Sequence, residues 1–438
     1  MFADMNLVAV AALLLGLLVF LLALGNWIGI ALLIVGFAAV TISASVPIGS
    51  VLATTVWASS ASWTLAALPL FIWMGEILFR TRLSEQMFLG LAPWLNWLPG
   101  RLLHVNVVGS GLFAAVSGSS AATCATVGKI ALPELGKRGY SEQMSLGSLA
   151  GSSTLGLLIP PSIPLVVYAV AANVSVIQVF LAGFLPGLLV MALYSGYIVV
   201  WSLLNPANSP PPEPRTSFVF KLRQSSKLLP VLILVVAIFS ALIFGLATAT
   251  ECAAWGVTGA LILAWWSGTL TWKTFVESLM SAARLSATIM LILAGAAFTT
   301  AAMAYTGIPA ALAAWVESLH LSPYVLIAAL ALMYIILGCL IDGISMIVLT
   351  TVVVLPMVKQ AGFDLVWFGI FLVILVEMAQ ITPPVGFNLF VLQNMSGRDS
   401  LVIAKAATPF FLLLVAALAI ITAFPDIALY VPRLAFPE

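Results

Sequence analysis

The chain has 438 residues, of which 63% are hydrophobic and 7% charged, with 16 Lys plus Arg against 15 Asp plus Glu. A mean hydropathy of +1.20 lies far outside soluble usage and marks an all-α polytopic membrane protein. A net charge of +1 gives no basis for nucleic-acid binding. Three dispersed cysteines and two separated histidines form no disulfide framework or transition-metal cluster, and no nucleophile–base motif supports an enzyme.

At about 20 residues per span, apolar length predicts spans over 7–24, 26–42, 66–80, 143–172, 176–204, 228–247, 252–268, 284–305, 364–394 and 401–424. No Lys or Arg precedes Arg80, so the first apolar stretch lacks a signal peptide's basic n-region and is expected to be retained. Between spans, 104–135 and 323–359 each carry a polar kink midway, SGSS at 117–120 and DGIS at 342–345, which predicts two re-entrant hairpins. The stretch GSSTLGLLIPPSIPLVVY at 151–168 places adjacent prolines inside a span. They remove two backbone donors, so the helix must break near Ile159–Ser162. QITPPVGFNLF, at 380–390, predicts a second break beside Thr382, Gly386 and Asn388. Broken backbone at membrane depth is tolerated only where protein or a water-filled cavity satisfies it, so both breaks mark sites. The proline-rich segment Asn205–Lys227 reads as a linker.

A shift of 223 residues superimposes Leu132 and Pro133 on Leu355 and Pro356, Gly139 on Gly362, and Pro160–Pro161 on Pro383–Pro384. Four of these five matches are Pro or Gly punctuation, which favours an internal duplication. Threading outward from a cytoplasmic linker places 14 of the Lys and Arg residues on the cytoplasmic side and leaves Lys359 and Arg433 outside, as the positive-inside rule demands. The first hairpin then opens inward and the second outward. Two inverted-topology repeats with broken helices are the architecture of secondary transporters.

The expected division is N-terminal spans over 1–103, mainly scaffold; a first hairpin and broken helix over 104–172; a scaffold span over 173–204; and the linker at 205–227. Second-half spans with an amphipathic arm follow over 228–322, then the second hairpin and broken helix over 323–400 and a last span over 401–438. At the first tip, Gly118 and the hydroxyls of Ser117, Ser119 and Ser120 supply oxygen ligands without charge, as sodium at membrane depth requires; the alternative is close helix packing by small residues. At the second, Asp342, Gly343 and Ser345 are either ion or substrate contacts or a helix cap. Ser119, Thr154, Ser162, Thr382 and Asn388 are candidate contacts for an anionic solute, because half-helix N-termini converge on anions. No Arg stands at a tip or break to clamp a carboxylate. Glu76, Glu251 and Glu377 lie near or within spans, where interfacial placement or an internal hydrogen bond stands beside transport, and none is taken as a site residue. A phosphate-cradling GxxxxGK loop is absent, so ATP does not drive the chain directly. A membrane scaffold protein that has kept the fold without transport is the alternative from another class.

The segments SGSSAATCATVGKIALPELGKRGY at 117–140, GSSTLGLLIPPSIPLVVYAV at 151–170, ATATECAAWG at 247–256 and ITPPVGFNLFVLQ at 381–393 resemble the large membrane subunit of tripartite ATP-independent periplasmic (TRAP) transporters. The resemblance implies an elevator-type member of the ion transporter superfamily in the bacterial inner membrane, importing organic acids with sodium and using no other cofactor. It also implies two partners, a small four-helix membrane subunit and a periplasmic substrate-binding protein. The family holds sodium at each tip and facing break, here Ser117, Gly118, Ser119 and Ser120 with Pro160, Pro161 and Ser162, then Asp342, Gly343 and Ser345 with Thr382, Pro383 and Gly386. Many members have a hydroxyl after the second-tip Asp and a proline near position 352, where this chain has Gly343 and Val352. Members fused to the small subunit carry extra N-terminal spans, so here that subunit is expected to be a separate polypeptide. Residues 26–65 are expected to present an apolar outer face to it.

Overall fold

A computed structural model describes residues 7–43, 46–81, 90–206, 210, 217–226, 228–318, 321–384 and 386–436. Arg82, Arg215, Lys227 and much of the predicted linker lie outside the described residues. Among the described residues the ordered structure is helical, without strands.

The first half runs α1 Leu7–Ala23, α2 Ile28–Ser43, α3 Ile48–Ser60, α4 Ala67–Arg80, α5 Leu102–Ser117, α6 Ser120–Lys137, α7 Glu142–Ser153, α8 Ile163–Ala171 and α9 Val176–Leu204. The short α10 Phe218–Ser225 leads into the second half: α11 Leu229–Ile243, α12 Ala249–Trp266, α13 Trp272–Thr306, α14 Ile308–Ser318, α15 Pro323–Gly338, α16 Gly343–Gln360, α17 Leu365–Gln380, α18 Phe387–Ser396, α19 Ser400–Ala423 and α20 Asp426–Ala435. Both hairpins stand where expected, as α5–α6 and α15–α16. Both interrupted spans stand too, as α7–α8 and α17–α18, and both proline pairs sit in the gaps with cis peptide bonds.

The 223-residue shift extends beyond punctuation. It carries Ser120–Lys137 onto Gly343–Gln360 end for end. It carries the α6 N-cap, Ser119, onto the α16 N-cap, Asp342, and each side chain accepts from the backbone three residues on. The span predicted at 284–305 is instead the last part of a 35-residue helix, α13, that begins at Trp272. Its counterpart in the first half is split into α3 and α4. The reason is local: Ser59, Ser60 and Ser62 cluster where α3 ends, and the Ser59 hydroxyl turns back on the Val56 carbonyl at 3.0 Å. Serine side chains compete with helical backbone bonding. The shift puts Ala282, Ala283 and Leu285, all strong helix formers, at those places, and the helix continues.

The broken helices form the centre. Every residue from Trp367 to Gln380 is buried, as are all from Met144 to Ala169; a helix apolar all round belongs inside a bundle. The halves interlock, since α6 packs on α18 and α16 packs on α8. To one side, α2 lies along α13. A Cβ on Gly29 or Gly36 of α2 would come within 2.7 Å of Leu291 or Phe298, so small residues set that approach. Thr299 locks it by donating to the Leu32 carbonyl at 2.7 Å.

Candidate functional site

The first hairpin tip is built by a reversal that only glycine makes without strain. Gly118 sits at φ +58°, and a Cβ there would come within 2.8 Å of the Pro161 carbonyl oxygen. Tip and break therefore touch through backbone, and the Ile163 amide donates to the Gly118 carbonyl at 3.4 Å. From the other side a Cβ on Gly156 would meet the Ser119 carbonyl carbon at 2.7 Å. Around this contact the hydroxyls converge. Thr123 Oγ1 donates to the Ser119 carbonyl at 2.8 Å, which leaves Ser117 Oγ to donate to Thr123 Oγ1 at 2.9 Å. Ser162 donates to the Leu157 carbonyl rather than capping α8, whose N-terminus has no side-chain cap. The C-terminal carbonyls of α5 and the uncapped N-terminus of α8 thus meet at one point. The former suit a cation and the latter an anion.

Ser117, Gly118, Ser119, Ser120, Pro160, Pro161 and Ser162 come together in this way. Ser119 is the partly exposed one among the hydroxyl residues, Ser117, Ser120 and Ser162 being buried. The second group is arranged differently. Asp342 caps α16, accepting from Ser345 N at 3.1 Å and from the Ser345 hydroxyl, so its carboxylate does what the capping alternative foresaw. Gly343 is pressed against Val376 of α17, 2.1 Å from where a Cβ would sit. At the second break the Thr382 hydroxyl donates to the Met378 carbonyl at 2.6 Å, and α18 begins at Gly386 without a side-chain cap. Among the described residues no hydrogen bond joins this tip to this break.

Three candidate solute contacts are already occupied by protein, Ser162 among them through its bond to the Leu157 carbonyl. Asn388 is fully buried, accepting from Ser120 Oγ at 2.8 Å and donating to the Ala150 carbonyl at 3.2 Å. It is a strut that ties α18 of the second half to the hairpin and broken helix of the first. Thr154 is fully buried and donates to the Gly151 carbonyl at 2.8 Å. Ser119 and Thr382 keep partial exposure.

Other features were not legible in sequence. A crevice of about 590 Å³ lies between α3 and α13 on one side and the α8–α9 turn and α16 on the other, with Thr55, Ser59, Thr300 and Thr351 on its walls. Such hydroxyls carry no sequence signal, because Ser and Thr recur throughout apolar helices. At the ends of the two broken helices, Arg398 forms a bidentate pair with Glu142 at 2.7 and 2.8 Å. Both side chains are more than half exposed. Exposed pairs contribute little, so Arg398→Ala is expected to leave the melting temperature unchanged by differential scanning fluorimetry; a clear drop would assign the pair a structural role.

Two helical hairpins and two proline-interrupted helices in a bundle of apolar helices are the frame of a membrane transporter. The fold matches the solved structure of the Alcanivorax borkumensis YdaH transporter with a TM-score of 0.61 over 91% of this chain and 97% of that one, at 14% identity. The sequence matches the family described as "Tripartite ATP-independent periplasmic transporter, DctM component" over residues 15–427, and the chain belongs to that family as a large permease, not an enzyme. Among relatives, the C4-dicarboxylate TRAP transporter large permease protein DctM of Pseudomonas aeruginosa is 31% identical over 87% of this chain and 89% of its own length. The sialic acid TRAP transporter large permease protein SiaM of Vibrio cholerae is 28% identical over 85% and 87%. The ectoine/5-hydroxyectoine TRAP transporter large permease protein UehC of Ruegeria pomeroyi is 28% identical over 86% and 87%.

Proposed function

We propose that this permease imports a carboxylated solute with sodium across the bacterial inner membrane, receiving it from a periplasmic binding protein and working beside a small membrane subunit. The observation that carries the reading is the first tip, where uncharged oxygens gather at a backbone-to-backbone contact and face an uncapped helix N-terminus. Sodium is held there by Ser117, Gly118, Ser119 and Ser120 with the Pro160–Ser162 break. A second ion is held by Asp342, Gly343 and Ser345 with Thr382, Pro383 and Gly386. Ser119 and Thr382, which keep exposure, contact the solute together with the free helix termini. The relatives named for C4-dicarboxylates, sialic acid and ectoine share a carboxylate in their solutes, which supports that class. Residues 104–172 and 323–400 move as one body past a scaffold made of the other spans, in two repeats of opposite topology. The crevice between α3, α13 and α16 lies along that boundary. Trp27, Trp57 and Trp63 are 67%, 75% and 87% exposed, which suits an outer face covered by the small subunit.

The test is uptake into proteoliposomes holding both membrane subunits, with the binding protein outside. Ser119→Ala and Asp342→Ala are each expected to weaken the sodium dependence while leaving assembly intact, because one oxygen ligand is lost and the helix contacts remain. Unchanged sodium titrations in both would remove the tips from the mechanism. If two sodium ions accompany a monocarboxylate, one net charge enters per cycle. A potential of 100 mV then adds ~2.3 kcal/mol, roughly fifty-fold in accumulation. Valinomycin clamps at constant sodium measure this, and indifference to potential, or uptake that persists with potassium in place of sodium, argues against the coupling.

A further inference from the structure

Glu377 has no part in the reading above. It is fully buried in α17, and neither carboxyl oxygen has a hydrogen-bond partner. The repeat shift of 223 carries Thr154 onto Glu377, and α17, which holds Glu377, packs on the turn Thr154–Gly156. Equivalent positions of the two broken helices therefore lie in elements that pack on one another. Tyr194 of α9 completes the group. Its hydroxyl is buried without a partner, and α9 packs on both α17 and the turn Thr154–Gly156.

A count of donors and acceptors decides the protonation state. The Thr154 proton goes to the Gly151 carbonyl at 2.8 Å, which leaves that oxygen as an acceptor. An ionised Glu377 would add two more acceptors, with the Tyr194 proton as the one donor for all three. No cation faces the group among the described residues. Lys359 and Lys405 are exposed, and Arg433 is paired with Asp426 at 2.6 Å. The hydroxyls of Tyr168 and Tyr334 are given to Leu365 O and Thr350. Asp342, Asp364 and Asp399 cap their own helices. A buried carboxylate without a counter-charge is far costlier than its neutral acid.

We propose that Glu377, Thr154 and Tyr194 form a proton-binding site where the two broken helices cross, with the carboxyl as a neutral acid donating to one of the two hydroxyls. The proton is retained while the helices stay packed and is released when water reaches the carboxyl, so proton occupancy is tied to the contact between the halves.

Infrared difference spectroscopy on the purified full-length protein tests this without sodium or solute, so its failure is separable from that of the transport reading. Wild type at neutral pH is expected to show the C=O stretch of a protonated carboxylic acid that Glu377→Gln lacks. Thr154→Val and Tyr194→Phe keep the acid, and at least one is expected to shift that band; these two variants also decide the matter if Glu377→Gln does not fold. Carboxylate bands alone in wild type, or a band unmoved in both hydroxyl variants, would overturn the site. In proteoliposomes, uptake by wild type is expected to fall in alkaline buffer while Glu377→Gln stays flat. Identical pH profiles would overturn the link to the cycle.

Discussion

Gly118→Val is expected to abolish the proposed sodium-driven uptake while most of the helical bundle still forms. The left-handed backbone at φ +58° costs an L-residue roughly 1–2 kcal/mol. The steric term is added to that, because the new Cβ would lie 2.8 Å from the Pro161 carbonyl oxygen and overpacking costs roughly 1–3 kcal/mol. A membrane bundle of this size relieves the clash locally, by drawing the tip away from the break. That movement separates the α5 carbonyls and hydroxyls from the break they face, so function suffers more than folding. Gly118→Ala keeps the backbone strain and the first clash with a smaller side chain, and is expected to retain weak uptake with a raised sodium requirement. Circular dichroism and uptake measured on the same preparations check this ordering. Wild-type sodium dependence in the valine variant would show that the tip–break contact is not an ion site.

Asn388→Leu is expected to give the largest loss of stability. The substitution is close in volume, so the cavity effect is small. What it removes is both bonds of the strut, leaving the Ser120 hydroxyl and the Ala150 carbonyl without this partner in a fully buried place. Each group left unsatisfied costs about 1–3 kcal/mol, and Asn388 sits where the α18 half-helix meets α6. The expected result is a melting temperature in detergent several degrees below wild type and faster proteolysis within 381–400. Ser120→Ala in the same background removes one stranded hydroxyl, so the double variant is expected to be less destabilised than the sum of the singles, as coupled neighbours are. Strict additivity would show that the two side chains do not interact.

Much of the architecture was legible because prolines and glycines act locally. The IPPS and TPPV motifs break helices whatever surrounds them, and the DGIS and SGSS kinks mark tips for the same reason. The repeat could be read from the same punctuation. Less legible were helix continuity and side-chain use. Trp272 to Thr306 is one helix, whereas the equivalent stretch of the first half is split, and a few serines, not a hydropathy change, make the difference. By residue type Asp342 was open between ion contact and helix cap, and only the structure shows that its carboxylate caps α16.

The sequence by itself determined that this chain spans the membrane many times, that two interrupted helices and two hairpins punctuate it, and that its proline and glycine punctuation recurs at an offset of 223. These follow from apolar length and from backbone restrictions that each residue carries with it. The tertiary structure decided which of the marked residues stay partly exposed and which are sealed. Asn388 and Thr154 read as polar groups beside a break, like Ser119 and Thr382, and only packing separates the strut and the sealed hydroxyl from the two that remain partly exposed. Likewise Glu377 reads as one acid in an apolar helix. The helix that holds it packs on the turn that holds Thr154, 223 positions earlier, and packing across that separation is fixed by the fold and not by any local preference.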